Sequence, residues 1–464
     1  MSSTGKLKFV KDARSTRGFL LIFFLLVFGC GPDQSSPKQR DETLPIEGRL
    51  AFVSVNIVPM TGPEVLKDQT VVVEEGKIIA IGPSKEIAVP EGTSRIEARN
   101  RYLMPGLTDF HVHFPTEPKN YQCVLDLFLA NGITRVVNME GNADLLALRR
   151  KIASGVVRGP TMFTTGPFLN RPIVSTPEQV KQAVISQKAA GYDFIKLHGE
   201  VSDEEYQTLL AVARQQDIRV VGHVPTGVGL TEVLRSGQPL IVHAEEFLYS
   251  YFMLNRDLPT STQEIDSMTR TIARETARAQ TWVSPTLTVF NEIILQVNDI
   301  KAVLGRPEMA FLPSSIKQRW TPPLNPYVKR WKKEDVLRFS AQYRVMERLT
   351  KELANAGVPL LVGSDCLVPT VVPGFSIHDE MYLMARAGLS NYEILKAATV
   401  NASVFLNSRD QTGTIEVGTQ ADFILIDGNP IEDLTNIKKL QGVMLKGVWM
   451  PASDLQSYIS NCSE

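Results

Sequence analysis

The chain has 464 residues, of which 43% are hydrophobic, so it can bury a large core and form one large domain with a smaller one, or two to three domains. Its 49 lysine and arginine residues nearly balance its 50 acidic residues, which gives no electrostatic reason to expect binding to nucleic acid or to an anionic membrane. We therefore expect a small molecule as the partner.

The N-terminus differs from the rest of the chain. Basic residues precede an apolar run from Phe19 to Phe28, which is too short to span a bilayer and has the flank of a signal peptide. The run ends in Val27-Phe28-Gly29-Cys30, which resembles a lipobox with Cys30 as the lipidated residue. Phe28 is bulkier than the residue that usually occupies its position in a lipobox, so secretion without lipidation is an alternative.

These features predict a lipoprotein-type signal peptide over 1–30 and a flexible tether over 31–45. The protein is then expected outside the cytoplasm, in the periplasm or cell envelope, with a lipid as its membrane contact. No Cys-x-x-Cys motif occurs among the remaining cysteines, so a disulfide framework is not indicated. One pair, such as Cys123 and Cys462, could oxidise in this compartment.

Short alternating strands and turns fill the region from 46 to 103 and return in the region from 413 to 455. Between them, over 104–412, strands alternate with amphipathic helices, which is typical of βα units on a parallel sheet. A Pro-interrupted helical insertion over 290–357 is expected to cover the mouth of this domain. The expected strands are Leu107 to His111, Thr134 to Asn138, Thr161 to Thr165, Phe194 to Leu197, Arg219 to Gly222, Leu240 to Val242, Thr281 to Ser284 and Leu360 to Gly363.

Eight such units predict an α/β fold, a (β/α)8 TIM-like barrel, with a small β-sandwich domain built from the N- and C-terminal segments. Active sites of such barrels lie at the carboxyl ends of the strands. His111 and His113 share one face of the first strand, where two imidazoles can chelate a metal. The other residues at predicted strand ends are Lys196, His223, His243 and Asp365.

The motifs around these residues are similar to those of a known superfamily. They are Pro105-Gly106-Leu107-x-Asp109-x-His111-x-His113, Phe194-Ile195-Lys196, Gly222-His223, Val242-His243 and Gly363-Ser364-Asp365. As a set they resemble the amidohydrolase superfamily, on its imidazolonepropionase-like and Xaa-Pro dipeptidase (prolidase-like) branch. The resemblance runs from about Ile46 to Met450.

The resemblance implies two divalent metal ions, for which zinc suits the nitrogen and oxygen donors best. His111, His113 and Asp365 would bind one ion, and His223 and His243 the other. Lys196 would bridge them as the carbamate formed with CO₂, because a free ammonium has no lone pair. A bridging hydroxide would be the nucleophile, with Asp365 as the catalytic general base and acid.

The expected enzyme is therefore a binuclear metal-dependent hydrolase of C–N bonds in amides or peptides, acting as a dipeptidase or N-acyl amino acid hydrolase. A mononuclear deaminase on the same barrel is an alternative, but such enzymes carry a glutamate three residues after the fifth-strand histidine, where this chain has Thr226. A hydrolase of cyclic amides or lactones and a non-catalytic lipoprotein that binds a metal or solute remain further alternatives. The sequence does not indicate the oligomeric state.

Overall fold

The described chain begins with five short strands. The computed structural model describes residues 48–253, 258, 259, 261–460 and 462, and the predicted signal peptide, tether and Cys30 lie outside them. The five strands are β1 (Leu50–Ile57), β2 (Leu66–Glu74), β3 (Lys77–Pro83), β4 (Ser94–Glu97) and β5 (Arg101–Pro105).

Strands and helices then alternate. The strands are β6 (Leu107–Val112), β7 (Ile133–Asn138), β8 (Thr161–Thr164), β9 (Phe194–Leu197), β10 (Arg219–Gly222), β11 (Leu240–Val242) and β12 (Trp282–Ser284). The α-helices are α1 (Tyr121–Ala130), α2 (Ala143–Ala153), α3 (Pro177–Ala190), α4 (Asp203–Gln215), α5 (Leu230–Ser236), α6 (Glu245–Phe247), α7 (Thr262–Arg278) and α8 (Leu287–Leu304). A 3₁₀ turn (Pro118–Asn120) precedes α1, and a π-helix (Leu248–Phe252) follows α6.

The remaining chain is helical before it returns to strands. The helices are α9 (Ser314–Trp320), α10 (Pro326–Arg330), α11 (Val336–Asn355), α12 (Phe375–Arg386), α13 (Asn391–Ala398), α14 (Val400–Phe405) and α15 (Ala452–Ser460), with 3₁₀ turns at Pro307–Phe311, Lys333–Asp335 and Leu434–Lys438. The strands are β13 (Phe423–Asp427), β14 (Leu440–Leu445) and β15 (Val448–Pro451).

The parallel strands β6 to β12 close into a barrel. Strands β6 to β8 form one sheet and β9 to β12 another, and a parallel bridge between Thr165 and Phe194 joins them. The extended segment 360–364 supplies the eighth position, since it bridges to β12 on one side. On its other side, the amide of Phe110 in β6 donates to the carbonyl of Val362 at 2.8 Å, which completes the ring.

The first and last strands share one eight-stranded sheet, in the order β15-β14-β13-β5-β1-β2-β3 with β4 beside β1. Strand β13 pairs antiparallel with β5, so both ends of the chain build this sheet. Phe52 of β1 and Trp449 of β15 are four strands apart, yet their ring centroids lie 5.0 Å apart. The sheet therefore curls over itself around an apolar core, as a sandwich does.

The predicted fold class, a (β/α)8 TIM-like barrel with a small β-sandwich domain from both ends of the chain, is confirmed. The predicted bounds of three barrel strands, β9, β10 and β11, match those of the structure. Helix α4 begins with a capping box formed by Ser202 and Glu205. Strand β5 was not predicted.

Only one residue, Gly106, separates β5 from β6. The small sheet therefore leads directly into the first barrel strand, which carries His111. In the part of the chain that the structure describes, no helix is both long and apolar enough to cross a membrane.

We predict that Gly222→Ala destabilises the fold by about 3 kcal/mol or more, measured as a fall in melting temperature. Gly222 ends β10 at a φ of 138°, and a β-carbon there would overlap the carbonyl oxygen of Leu197 in β9. Gly227→Ala in the following loop is the matched control, because its β-carbon would meet nothing closer than Glu200 Oε2 at 3.7 Å. Equal melting temperatures for the two variants would contradict this account.

Candidate metal centre

The barrel brings all six predicted side chains to one cavity of about 300 Å³. His111 lies near the end of β6 and His113 directly follows that strand, while Lys196 lies in β9. His223 and His243 directly follow β10 and β11, and Asp365 follows the eighth barrel segment. Because the strands are parallel, their carboxyl ends converge at one mouth, as the residue pattern predicts.

Asp365 is the point at which the imidazoles meet. Its Oδ1 lies 3.2 Å from Nε2 of His111 and 2.9 Å from Nε2 of His113. Its Oδ2 lies 3.9 Å from Nε2 of His243. The ring centroids of His223 and His243 are 4.7 Å apart, so the four imidazoles form one continuous group.

One trio of donors is close enough to hold a single metal ion. Ligand atoms of His111, His243 and Asp365 all lie within 4.8 Å of one another. The resemblance would instead group His113 with His111 and Asp365. The structure thus places His243 within reach of both expected ligand groups.

The buried imidazoles are in the form that binds metal. Burial holds the pKa of His111 and of His223 well below the usual range, and lowers the pKa of His243 to about 3. These rings are therefore neutral at pH 7 and keep a nitrogen lone pair for a metal ion.

Lys196 fits the role of a carbamate better than that of an ammonium. Its side chain is almost fully buried at 2% exposure, and Nζ has no hydrogen-bond partner among the described residues. Burial lowers its pKa to about 8, which raises the fraction of neutral amine, the form that reacts with CO₂. An ordinary buried lysine would be paired with an acid, and no such ion pair is present in the described chain.

Two hydrogen bonds behind the cavity orient the imidazoles. Nδ1 of His223 lies 2.6 Å from Oε1 of Glu246, whose Oε2 accepts the Val224 amide at 3.0 Å. Nδ1 of His243 lies 2.6 Å from Oγ1 of Thr286. A carboxylate only accepts hydrogen bonds, so His223 carries its proton on Nδ1 and presents the lone pair of Nε2.

Sequence reasoning did not find this role of Glu246. Glu246 follows His243 by three residues, and nothing in the sequence around it indicates a contact with His223. The hydrogen bond reaches the neighbouring strand end, and a pattern within one strand carries no signal for such a contact.

A third support joins the first and last barrel strands. Oδ1 of Asp109 accepts the amides of His111 at 3.2 Å and of Ser364 at 2.9 Å, and its Oδ2 accepts the Ser364 hydroxyl at 2.6 Å. Burial raises the pKa of Asp109 to about 7. Asp109 therefore fixes the spacing between His111 and Asp365 without contacting the cavity.

The backbone is strained at the site. His243, Thr286 and Asp365 all have positive φ, at 72°, 48° and 55°, a region that non-glycine residues seldom adopt. Such conformations cost of order 1–3 kcal/mol each and persist only where the surrounding structure enforces them. The surrounding structure thus holds the proposed ligands His243 and Asp365, and Thr286, which contacts His243, in backbone conformations that such residues seldom adopt.

Of the two remaining histidines, His198 adjoins this group and His378 lies apart from it. His198 lines the cavity, with its ring 4.5 Å from that of His223 and 4.9 Å from that of Phe168. His378 is buried in α12 and lines a different cavity, beside Asn131.

Three basic residues of the insertion, Arg319, Lys329 and Arg330, do not line the cavity. Arg319 pairs with Glu117, and the Arg330 guanidinium packs 5.3 Å from the ring of Trp331. Lys329 belongs to the short helix α10. Cys366, which directly follows Asp365, is buried.

The sequence matches one family over most of its length, because residues 102–450 fit the model of the amidohydrolase family. Ochratoxinase from Aspergillus niger is 20% identical over 463 residues, covering 84% of this chain and 83% of that protein. Imidazolonepropionase from Syntrophobacter fumaroxidans is 35% identical over 83 residues, 17% of this chain and 18% of that protein. Adenine deaminase 1 from Latilactobacillus sakei is 23% identical over 184 residues, 36% of this chain and 31% of that protein. This chain therefore spans less than a third of the latter two relatives.

Solved structures share the fold at low sequence identity. Bottromycin amidohydrolase superposes with a TM-score of 0.71 at 24% identity, covering 89% of this chain and 90% of that one. A protein described as a prolidase from Bifidobacterium longum superposes with a TM-score of 0.66 at 22% identity, covering 90% of this chain and all of that one.

We predict that Glu246→Ala weakens metal binding about 10- to 100-fold, because His223 loses the acceptor that orients its ring. Metal content after dialysis against graded chelator concentrations measures the effect. Glu246→Gln is the matched control, since its amide oxygen can still accept from Nδ1 of His223 although its NH2 can no longer accept from the Val224 amide, and it should lose less metal affinity than the alanine variant. Wild-type metal retention in the alanine variant would contradict the assignment.

Proposed function

Because the chain belongs to the amidohydrolase family, we propose that it is a binuclear metal-dependent hydrolase of C–N bonds. The observation that carries this proposal is the buried Nζ of Lys196, which has no partner in the described chain and faces a cavity lined by five histidines and Asp365. A carbamate formed on Nζ of Lys196 would give this nitrogen a chemical role, because its oxygens can bind metal ions.

In this proposal His111, His113 and Asp365 would hold one metal ion, and His223 and His243 would hold the second. Carboxylated Lys196 would supply oxygen donors to both sets, and zinc suits these donors best. When bound, the two ions polarise the carbonyl of the substrate and lower the pKa of the attacking water.

Asp365 is the proposed catalytic residue. It takes a proton from the water that attacks the carbonyl carbon and gives it to the leaving nitrogen as the C–N bond breaks. Its position supports this role, because its carboxylate contacts His111, His113 and His243 and lines the cavity in which the substrate would lie.

Hydrolysis is favoured over deamination by the contacts of Glu246. Its Oε1 contacts His223, its Oε2 accepts the Val224 amide, and Glu246 is not among the described residues that line the cavity, so the structure gives it no position from which to shuttle a proton to a substrate. The fold neighbours described as a prolidase and an amidohydrolase are consistent with an amide substrate. We propose a dipeptide or an N-acyl amino acid, with cyclic amides and lactones as the alternative.

We predict that protein reconstituted with zinc and bicarbonate hydrolyses members of a dipeptide and N-acyl amino acid library, and that Asp365→Asn lowers kcat about 10²- to 10⁴-fold. Lys196→Ala should also be inactive and regain part of its activity with added acetate, because a free carboxylate can replace the carbamate. Amine release measured by chromatography reports the reaction.

Asp379→Asn is the matched control for this experiment, since Asp379 lies on α12 and lines a different cavity. It should retain the wild-type rate. A metal-loaded wild type that cleaves no amide, ester or dipeptide would favour a metal- or solute-binding protein and overturn the proposal.

We further propose that the protein lies outside the cytoplasm with a lipid on Cys30. The support is the basic flank, the apolar run and the lipobox-like ending of the first thirty residues. Cells fed a labelled fatty acid should incorporate the label into the wild type and not into Cys30→Ser. Label in both proteins, or in neither, would contradict the anchor.

A further inference from the structure

Helix α8 begins beside one of the proposed metal ligands, and the residue at its start faces that ligand. Thr286 holds the N-cap position of α8, and its side chain accepts no hydrogen bond from the first turn, all of which the structure describes. Its hydroxyl lies 2.6 Å from Nδ1 of His243 instead. Because a threonine at an N-cap usually accepts the amide of the second or third helical residue, Thr286 does not perform the usual role of its position.

The backbone holds Thr286 in this orientation. The amide of His243 donates to the carbonyl of Ser284 at 2.8 Å, and the next amide donates to the carbonyl of Pro285 at 2.9 Å. Thr286 has a φ of 48°, whereas an N-cap residue usually adopts an extended conformation. The hydroxyl is therefore turned away from the helix and toward the imidazole.

A carboxylate from another helix caps α8 in place of Thr286. Helix α12 packs against α8, and Oε2 of its residue Glu380 accepts the amide of Thr288 at 2.7 Å. Thr288 is the second residue of α8, and its amide is one of those that an N-cap side chain usually binds. Glu380 thus supplies the acceptor that Thr286 does not.

Stability alone does not account for a carboxylate at this position. Glu380 is fully buried, and its Oε1 has no hydrogen-bond partner among the described residues. Burial raises its pKa to about 7, although the amides of Thr288 and Leu287 oppose the rise. A buried polar group that is only half satisfied costs free energy, and a threonine that capped its own helix would make it unnecessary. The feature that the arrangement gains is the contact of Thr286 with His243.

We infer that Glu380 is a positioning residue, which caps α8 and so leaves Thr286 free to orient His243 for a metal ion. Nε2 of His243 can bind a metal ion when Nδ1 carries the ring proton, and Oγ1 of Thr286 then accepts the hydrogen bond from Nδ1. Within the described chain Glu380 is absent from the lining of the cavity, so it acts through Thr286. The inference rests on the proposed function, in which His243 is a metal ligand.

A double-mutant cycle on zinc affinity tests this route. Glu380→Met fills similar space without an acceptor, and Thr286→Val removes the hydroxyl at nearly constant shape. Each single variant should weaken zinc binding about 10-fold, measured by competition with a chelator. In the Thr286→Val background, Glu380→Met should weaken it by less than about 2-fold more, because the residue through which it acts is already lost. Glu380→Ala takes its place in the cycle if the methionine variant does not fold.

Two further variants separate positioning from general stability. Glu380→Gln keeps an acceptor for the Thr288 amide, so it should retain most of the zinc affinity. Glu205→Ala is the matched control, because Glu205 is also buried and its Oε2 accepts the amide of Ser202 at 2.7 Å at the start of α4. The control variant should lower the melting temperature and leave the zinc affinity unchanged.

Nitrogen NMR of the metal-free protein gives a measurement that needs neither metal nor turnover. The chain has six histidines, so their ring nitrogens can be labelled selectively, and His243→Asn identifies the signals of His243. In the wild type the proton of this ring should lie on Nδ1. Glu380→Met should give a mixture of the two neutral tautomers, because Thr286 no longer holds the ring.

Three results would overturn the inference. They are an equal loss of zinc affinity from Glu380→Met in both backgrounds, the same loss in Glu205→Ala, and a wild-type tautomer of His243 in Glu380→Met. A protein that shows the expected coupling and tautomers but hydrolyses no amide would overturn the proposed hydrolase alone.

Discussion

Lys196 carries an amine into the interior of the barrel, where Nζ meets no hydrogen-bond partner among the described residues. Burying an ammonium without a counterion costs several kcal/mol, and here burial lowers the pKa of the amine to about 8. Such a cost persists only where another interaction offsets it. A carbamate between metal ions would convert the buried cation into an anionic ligand, and the neutral state of the surrounding imidazoles suits the same metal ions.

The barrel supplies the rigidity that this arrangement requires. Each proposed ligand lies at or next to a strand end, and side chains behind the cavity hold several of them in place: Glu246 for His223, Thr286 for His243, and Asp109 between His111 and Asp365. The positive φ angles of His243 and Asp365 show that local backbone preference yields to these contacts. The barrel and the side chains behind the cavity thus set the distances between the proposed ligands and the orientation of their side chains. The proposed ligands themselves supply the donor atoms.

The outer wall of the cavity comes from elements that take no part in closing the barrel. Tyr327 and Trp331 belong to the insertion after α9, and Tyr249 belongs to a π-helix, a rare element that often occurs at functional sites. Changes in these segments can alter which substrate fits without disturbing the strand ends. Because the barrel and the outer wall are separate, the same barrel can act on different compounds, and the fold alone does not identify the substrate.

The sequence by itself determined the barrel, the sheet built from both ends and the six side chains that converge, because strand periodicity and strand-end positions are local features of the chain. The bounds of β9, β10 and β11 follow from short apolar runs between turn residues. Only the tertiary structure decided the contacts across strands: Glu246 with His223, Asp109 with Ser364, and Thr286 with His243. These residues are far apart in sequence or carry no periodic signal, so their proximity exists only once the barrel has closed.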